Sequence, residues 1–383
     1  MSKLVVSTVG ISLLTNQIEV GFDPDSWTSE LLATVNASEE DMQTHHSEVM
    51  PILKDLEERA KQSLDEESLG KIRDLSAELN GIYSFYRNNL SQGRNDAHVL
   101  IATDTAQGRT TAKLLEEHLK SKGIGNVFIL TANKLSIANE RIFSEGIAEL
   151  LFNLQDIVEG YQKEKYDICF NLVGGFKALQ GFFNVIGMFY ADEILYVFEG
   201  SNELIKIPKL PIRIDPIQVK PYAVPLAMMS MGDIRASWEE TNKVPQEWVF
   251  TLDKDMTLST WGALVWNQCK KEILRGDELL RFPDIVYEST FREDYKNQTD
   301  NRLRIALQET IAKVAQILHI RQDGIAALKQ DGGIQLDRYT NTSIDHFRIS
   351  QELRVSCRVL EGGKLSLKYY GTHKHVEGKE GVR

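Results

Sequence analysis

Five short apolar runs alternate with segments of helical spacing through the first 200 residues, and this alternation limits the fold more than any other feature. The runs are KLVVSTVG (3–10), HVLIATDT (98–105), NVFILTA (126–132), DICFNLVGG (167–175) and ILYVFEG (194–200). Strands that are apolar on both faces and separated by helices are typical of a parallel sheet covered by helices. The pattern predicts the fold class α/β, with a Rossmann-like parallel sheet in a first domain of residues 1–204.

Two stretches depart from the alternation. Residues 37–90 are acidic and rich in leucine, which predicts two inserted helices with a solvated charged face. Five of the nine prolines fall between Pro208 and Pro225, which indicates a domain boundary or an edge hairpin. Residues 205–280 carry four of the five tryptophans and are predicted to form a small, mostly helical connector, with a winged helix as one alternative.

The last 103 residues, 281–383, predict an α+β domain. A strand leading into a helix at residues 284–297 precedes an amphipathic helix, RLRIALQETIAKVAQIL (302–318). Three closely spaced strand candidates follow: HFRIS (346–350), LRVSCRVL (353–360) and KLSLKYYG (364–371). This part carries 17 Lys and Arg against 14 Asp and Glu, whereas the whole chain carries 44 against 55. It is the locally basic part of an acidic chain.

The cysteines and the apolar stretches indicate in which cellular compartment the protein works. Cys169, Cys269 and Cys357 are widely spaced and odd in number, so neither a disulfide framework nor a zinc site is indicated. No apolar stretch approaches the roughly 18 residues that a membrane helix needs, and the start does not resemble a signal peptide. We therefore expect a cytoplasmic protein without a membrane partner.

Three glycine- or hydroxyl-rich segments follow predicted strands: STVGISLLTN (7–16), TDTAQGRTTA (103–112) and NLVGGFKAL (171–179). Ligands of open parallel sheets bind beyond the carboxyl ends of the strands, where backbone N–H groups face an anion. Arg109 and Lys177 stand near helix starts, where a basic residue opposes the helix dipole unless an anion is present. Ordinary strand-to-helix turns remain the alternative. None of the segments is a dinucleotide or P-loop motif.

These three segments, in this order, resemble the loops of the CRISPR-associated Rossmann-fold (CARF) sensor domains over about residues 1–200. The resemblance implies an activator ligand rather than a cofactor: a cyclic oligoadenylate, in particular cyclic tetra-adenylate. It also implies a homodimer, because a symmetric ring can be shared across a two-fold axis. The residues that it places at the ligand are Thr8, Gly10, Ser12, Leu13, Thr105, Arg109, Gly174, Gly175 and Lys177.

The C-terminal strands predict a second site. In strand register, Arg354 and Arg358 share one face, and the next strand presents Lys364, Ser366, Lys368 and Tyr370 on the same face, followed by His373 and His375. Basic side chains bind RNA phosphates and aromatic rings stack on bases, so Arg358, Lys364 and Lys368 are candidates for RNA binding. A solvated outer face of the sheet is the alternative. A metal site beginning at the two histidines is a weaker one, because no carboxylate or cysteine cluster stands nearby in the sequence.

The segment HFRISQELRVSCRVLEGGKLSLKYYGTHKHVEG (346–378) is similar to the C-terminal half of RelE-family mRNA interferases. The resemblance implies metal-independent RNA cleavage, with Arg348 and Arg354 on the phosphate and His373 as acid or base. Lys374 or His375 would support His373. Many members of that family end in a tyrosine where this chain has Val376 and Glu377, so the identity of the general base stays open.

Together the two resemblances predict an endoribonuclease activated by cyclic oligoadenylate, which cuts mRNA on the ribosome in type III CRISPR defence and arrests growth. Two other functions stay open. One is a CARF transcription regulator that binds DNA through residues 205–280. The other is a ring nuclease that degrades cyclic tetra-adenylate, with the basic tail as an interaction module.

Overall fold

The computed structural model of the chain describes residues 1–131, 140–198, 203–340 and 342–382. The chain divides into two compact units, Met1–Arg213 and Ile214–Arg383. Among the described residues, no helix is both long and apolar enough to span a bilayer.

The first unit contains a six-stranded sheet with the order β3-β2-β1-β4-β5-β6. Its strands are β1 (Lys3–Thr8), β2 (Ala97–Ile101), β3 (Asn126–Leu130), β4 (Asp167–Asn171), β5 (Glu193–Val197) and β6 (Leu204–Pro208). β1 to β5 are parallel, and β6 is antiparallel to β5. The predicted α/β architecture is confirmed. β5 and β6 form a hairpin at the sheet edge, which ends at Pro208, where the proline-rich stretch begins. The strand order reverses between β1 and β4, where ligands of such sheets bind.

Nine helices are assigned within the described residues of this unit. They are α1 (Ser12–Thr15), α2 (Ser26–Ala33), α3 (Glu39–His45), α4 (Met50–Glu66), α5 (Leu69–Leu75), α6 (Ala77–Phe85), α7 (Ala106–Ser121), α8 (Glu140–Lys163) and α9 (Lys177–Tyr190). The sequence predicted two helices for residues 37–90, but the structure has four, α3 to α6. Ser38 and Ser76 accept hydrogen bonds from the backbone N–H groups of Asp41 and Leu79, and such capping starts a new helix at each serine.

The second unit contains two sheets. The five-stranded sheet has the order β10-β14-β13-β12-β11, and the three-stranded sheet has the order β7-β9-β8. The strands are β7 (Ile234–Arg235), β8 (Val249–Leu252), β9 (Asp255–Leu258), β10 (Ile285–Tyr287), β11 (Asp337–Arg338), β12 (Asp345–Arg348), β13 (Leu353–Val359) and β14 (Leu365–Thr372). The helices are α10 (Pro216–Val219), α11 (Ala223–Met229), α12 (Thr260–Leu274), α13 (Ser289–Asn297), α14 (Asn301–Ile320), α15 (Gly324–Gln330) and α16 (His373–Glu380).

One hydrophobic core runs across residue 280, where the sequence analysis placed a domain boundary. Leu226 and Trp266 belong to the same core cluster as Phe291, Phe347 and Leu367, and all five are buried. The predicted connector also contains the three-stranded sheet as well as α10 to α12. Residues 214–280 therefore share the core of the C-terminal domain.

The sequence analysis predicted wrongly which residues of β14 share a face after the middle of the strand. β13 and β14 are irregular between Ser356 and Cys357: Cys357 pairs with Leu367, whereas Ser356 pairs with Tyr369. Such a bulge adds one residue to one strand and reverses its alternation. Tyr370 therefore faces the core, opposite Val355, instead of sharing a face with Ser366.

The two histidines of the tail do not continue the sheet. β14 ends at Thr372, and His373 is the first residue of α16. The Thr372 side chain accepts a hydrogen bond from the His375 N–H and caps the helix. Since residues two apart on a helix point in different directions, His373 and His375 do not share a face.

Candidate functional sites

The carboxyl ends of β1 and β4 bring the first and third predicted loops into contact. The Thr8 hydroxyl donates a hydrogen bond of 2.6 Å to the Gly174 carbonyl. Gly175 has a φ of 103°, and a Cβ there would lie 2.9 Å from the Thr8 side chain. Only glycine fits this backbone without strain, so the glycine pair is needed to form the loop contact itself.

Glu78 occupies the donors of the first loop, and the sequence analysis missed it. Its carboxylate is fully buried and accepts hydrogen bonds from the Gly10 N–H at 2.7 Å and the Ser76 hydroxyl at 2.8 Å. The Ser12 hydroxyl donates at 3.4 Å to Oε2, the same oxygen that accepts from Ser76. A side chain at Gly174 would overlap this carboxylate. The face predicted as solvated thus contributes one acidic group to the interior of the site.

The remaining residues of the first two loops have local partners. Leu13 is fully buried in the core of the unit and anchors the first loop. The Thr105 side chain accepts a hydrogen bond from the Gly108 N–H and caps α7. The Arg109 guanidinium bonds the Asp104 carboxylate at 2.6 and 2.9 Å. The anion beside Arg109 in this structure is therefore a side chain.

A cavity of about 760 Å³ opens beside the third loop. It is lined by Ser12, Gly175 and Lys177 of the predicted set, together with Asn16, Arg73, Asn80, Gln180 and Tyr196. Lys177 is exposed, and no ion pair among the described residues includes it. The sequence analysis missed Arg73 and Asn80 because they come from the inserted helices, whose path the local pattern does not encode. The cavity is polar and has an available cation, as a phosphate ligand requires.

Replacing Lys177 with alanine should weaken binding of cyclic tetra-adenylate at least tenfold, because it removes the available cation of the cavity. Lys113→Ala is the matched control, since Lys113 is exposed on α7 and does not line the cavity. Calorimetric titration of both variants checks this. Equal affinities for the two would contradict a ligand site here. Gly175→Asp is a poor test, because the left-handed backbone strains any side chain there.

A cluster of polar side chains lies on the outer face of the five-stranded sheet, which we define by His346, Arg348, Arg354, Ser356 and Tyr369. The alternate residues of these strands enter the core. The final helix, α16, packs against β13 and β14 and covers part of this face. Its Glu380 accepts hydrogen bonds from the Ser356 hydroxyl at 2.7 Å and from Lys368 at 2.8 Å. The basic face is therefore only partly open to solvent.

Arg348 and Arg354, both predicted to bind phosphate, lie directly opposite each other on β12 and β13. Arg348 is exposed, but Arg354 is only 7% exposed. Its Nη1 donates to the carbonyls of Ser350 and Leu353, and its enclosed Nε has no hydrogen-bond partner among the described residues. Burial and the charge of Arg348 lower the pKa of Arg354. A buried cation with an unused donor is costly unless an anion binds it.

Tyr339 and His346 form a stacked pair beside these arginines, and the sequence analysis missed both. Their ring centroids are 4.1 Å apart, with 15° between the planes. Within the described part of the chain, the Tyr339 hydroxyl and the His346 Nδ1 are enclosed without a hydrogen-bond partner. Burial raises the pKa of Tyr339 to about 12 and lowers the pKa of His346. The alternation of β12 could have revealed His346, which stands two residues before Arg348.

The start of α16 separates the three predicted catalytic residues of the tail. His373 Nδ1 lies 3.4 Å from the Glu377 carboxylate, and the charge of His373 contributes to lowering the pKa of His346. His375 instead reaches Asp294 of α13, with 3.3 Å between Nε2 and Oδ1. Lys374 is exposed. Only His373 therefore belongs to the cluster on the outer face.

The three predicted RNA-binding residues differ in their availability. Arg358 on β13 and Lys364, which directly precedes β14, are exposed. Lys368 is held in an ion pair with Glu380, whose side chain is almost completely buried. Arg358 and Lys364 are thus accessible to a polyanion, whereas Lys368 mainly fixes α16 on the sheet.

Comparison with protein-family models relates part of the chain to a known family. Residues 73–210, about a third of the chain, match the model of a CRISPR-associated protein family, Cas_APE2256. No curated protein matches the chain. The matched range extends from α5 to the end of β6 and includes Gly174, Gly175 and Lys177. The match supports a CRISPR-linked role, while the C-terminal strands lie outside it.

Proposed function

We propose that this chain is a ribonuclease controlled by a nucleotide messenger in type III CRISPR defence. The first unit binds a cyclic oligoadenylate, in particular cyclic tetra-adenylate, and the second unit then cuts mRNA on the ribosome. The observation that carries the proposal is the pair Arg348 and Arg354, which lie opposite each other on the outer face with His346 on the same face. Two adjacent guanidinium groups attract an anion, and an RNA phosphate is the anion that the neighbouring histidines could transform.

The sensor half of the proposal is supported by the family match and by the cavity at the third loop. A cavity of about 760 Å³ with an available lysine suits phosphorylated ligands. A cyclic tetranucleotide has a symmetry that two copies of one surface can match, so the proposal includes a homodimer. Each copy would contact one half of the ring through the same residues.

The chemical step would be attack of the RNA 2′-hydroxyl on the adjacent phosphate. Arg354 and Arg348 would stabilise the charge that develops on the phosphorane, since guanidinium groups bind phosphate oxygens in pairs. His373, oriented by Glu377, would donate a proton to the departing 5′-oxygen. The products are a 2′,3′-cyclic phosphate and a 5′-hydroxyl end. Growth arrest would follow from loss of intact mRNA.

A translation extract tests the proposal directly. The full-length protein is added with and without cyclic tetra-adenylate, and new mRNA 5′ ends are mapped; the same RNA without ribosomes is the control. We expect cuts that require both the ligand and ribosomes. Disappearance of the ligand without RNA cuts would favour the ring nuclease. Ligand-dependent binding to duplex DNA without cuts would favour the transcription regulator.

A further inference from the structure

We infer that His346 is the general base of the second unit and that Tyr339 positions its ring. This inference rests on the proposed RNA cleavage and names a group that the sequence analysis left open. It starts from the stacked pair on the outer face, whose His346 lies two residues before Arg348 on β12. His346 is paired with Ser356, and Arg348 is paired with Arg354.

The position of His346 suits proton transfer next to a phosphate held by the arginines. Side chains on one face of adjacent strands are about 5 to 8 Å apart, which is the range that a phosphate and its neighbouring ribose span. Of the two ring nitrogens of His346, only Nδ1 is enclosed. Nε2 is therefore the nitrogen that can reach a substrate.

The surroundings keep this imidazole ready to accept a proton. The charges that face it come from Asp337 on β11, Arg354 on β13, His373 on α16 and Arg348 on its own strand. Burial is the largest effect and lowers the pKa below its ordinary value of 6.5; the three cationic neighbours lower it further, and only Asp337 opposes them. A base must be unprotonated before the reaction, and this environment maintains that state at neutral pH.

Tyr339 holds the ring without touching substrate. Its side chain is 7% exposed, so its contribution is the stacked contact, which fixes the plane of the imidazole. His373 then remains for the acid role, because its Nδ1 faces Glu377 rather than the arginines. His346 on β12 thus accepts one proton, and His373 on α16 donates the other.

The resulting step is balanced. The proton of the 2′-hydroxyl passes to Nε2 of His346 while the 2′-oxygen bonds to phosphorus. The bond from phosphorus to the 5′-oxygen breaks, and the 5′-oxygen takes a proton from His373. The enzyme returns to its starting state when His346 loses its proton to water and His373 regains one.

The test uses full-length protein with cyclic tetra-adenylate and ribosomes programmed with mRNA, in single-turnover reactions. His346→Gln should lower the cleavage rate about a hundredfold, with ligand affinity unchanged. His319→Gln is the matched control, because His319 is also half-buried and in contact with an aromatic ring, that of Trp238, but lies on α14. It should cleave at the wild-type rate. Tyr339→Phe, which keeps the ring, should stay close to wild type, whereas Tyr339→Leu should lose about tenfold.

Two further readouts distinguish a chemical from a structural role. Added imidazole should restore part of the activity of His346→Ala but none of the activity of Arg354→Ala. The wild-type rate should follow a bell-shaped pH profile, because His346 acts as a base only when unprotonated and His373 acts as an acid only when protonated. The rising limb should reach its midpoint below pH 6.5, and a midpoint of that limb above pH 6.5 overturns the inference even if the variants do not fold. Wild-type rates in His346→Gln overturn it and leave the proposed function intact, whereas a wild type that never cuts RNA refutes the function itself.

Discussion

Replacing Arg354 with alanine is expected to lower ligand-dependent RNA cleavage by about a hundredfold or more, which is the usual scale for losing one electrostatic contact to the transition state. Arg354 is the buried cation of the outer face, and its enclosed Nε has no partner among the described residues. Its removal leaves the phosphorane with the exposed Arg348 alone. Quantitative mapping of mRNA 5′ ends over time measures the loss.

Two further variants control for folding and charge. Arg354 also bonds the carbonyls of Ser350 and Leu353, so the melting temperature of each variant is measured alongside the rate. Arg354→Lys keeps the charge but loses the planar fork, and we expect it to be nearly as defective as alanine. Arg302→Ala removes an exposed arginine from α14 and should have no effect. Full activity in a folded Arg354→Ala variant would restore the solvated-face interpretation of this sheet.

Replacing Gly262 with alanine is expected to destabilise the second unit by about 3 kcal/mol, the upper end of the usual cost of overpacking. A Cβ at Gly262 would overlap the Trp248 carbonyl oxygen, which belongs to the backbone and cannot turn away. Because residues 214–280 share one core with the C-terminal strands, the loss should abolish RNA cleavage at the growth temperature. Ligand binding by the first unit should persist.

Gly332→Ala is the matched control in the same unit, since a Cβ there meets no atom within 4 Å. Differential scanning calorimetry should show a lower transition for Gly262→Ala and an unchanged one for Gly332→Ala. If Gly262→Ala melts like the wild type, the region before residue 280 does not support the domain that follows it. Residues 214–280 and 281–383 would then unfold as separate units, as the division predicted from the sequence implies.

The sheet of the first unit could be predicted because its strands are buried on both faces, and continuous apolar runs such as HVLI are hard to place elsewhere. The sequence also placed the loops of Thr8 and Gly174 at one edge of the sheet, since the carboxyl ends of parallel strands meet there. Glu78 and Arg73 could not be found in this way. They reach the site from an insertion, and the position of an insertion depends on tertiary packing rather than on local pattern.

The outer face of the second unit was predicted in composition but not in geometry. Arg348 and Arg354 share the outer face, as the alternation of the strands indicated. The extra residue at the β13–β14 bulge places the Tyr370 side chain in the core instead of on that face. His373 and His375 were assigned to one face because the strand was extended past Thr372. Thr372 is a good helix cap, so the end of the strand was readable. The stacking of Tyr339 on His346 joins residues on either side of a turn and leaves no periodic signal.

Glu78 gives the first loop an occupant of its own, and this has a consequence for any phosphate that approaches it. The Gly10 N–H is one donor, and it already serves a carboxylate at the first turn of α6. A ligand that takes this donor has to displace Glu78, and displacement withdraws one of the contacts that hold the inserted helices against the sheet. A bound anion and the Glu78 carboxylate of α6 would therefore compete for the same donor, the Gly10 N–H.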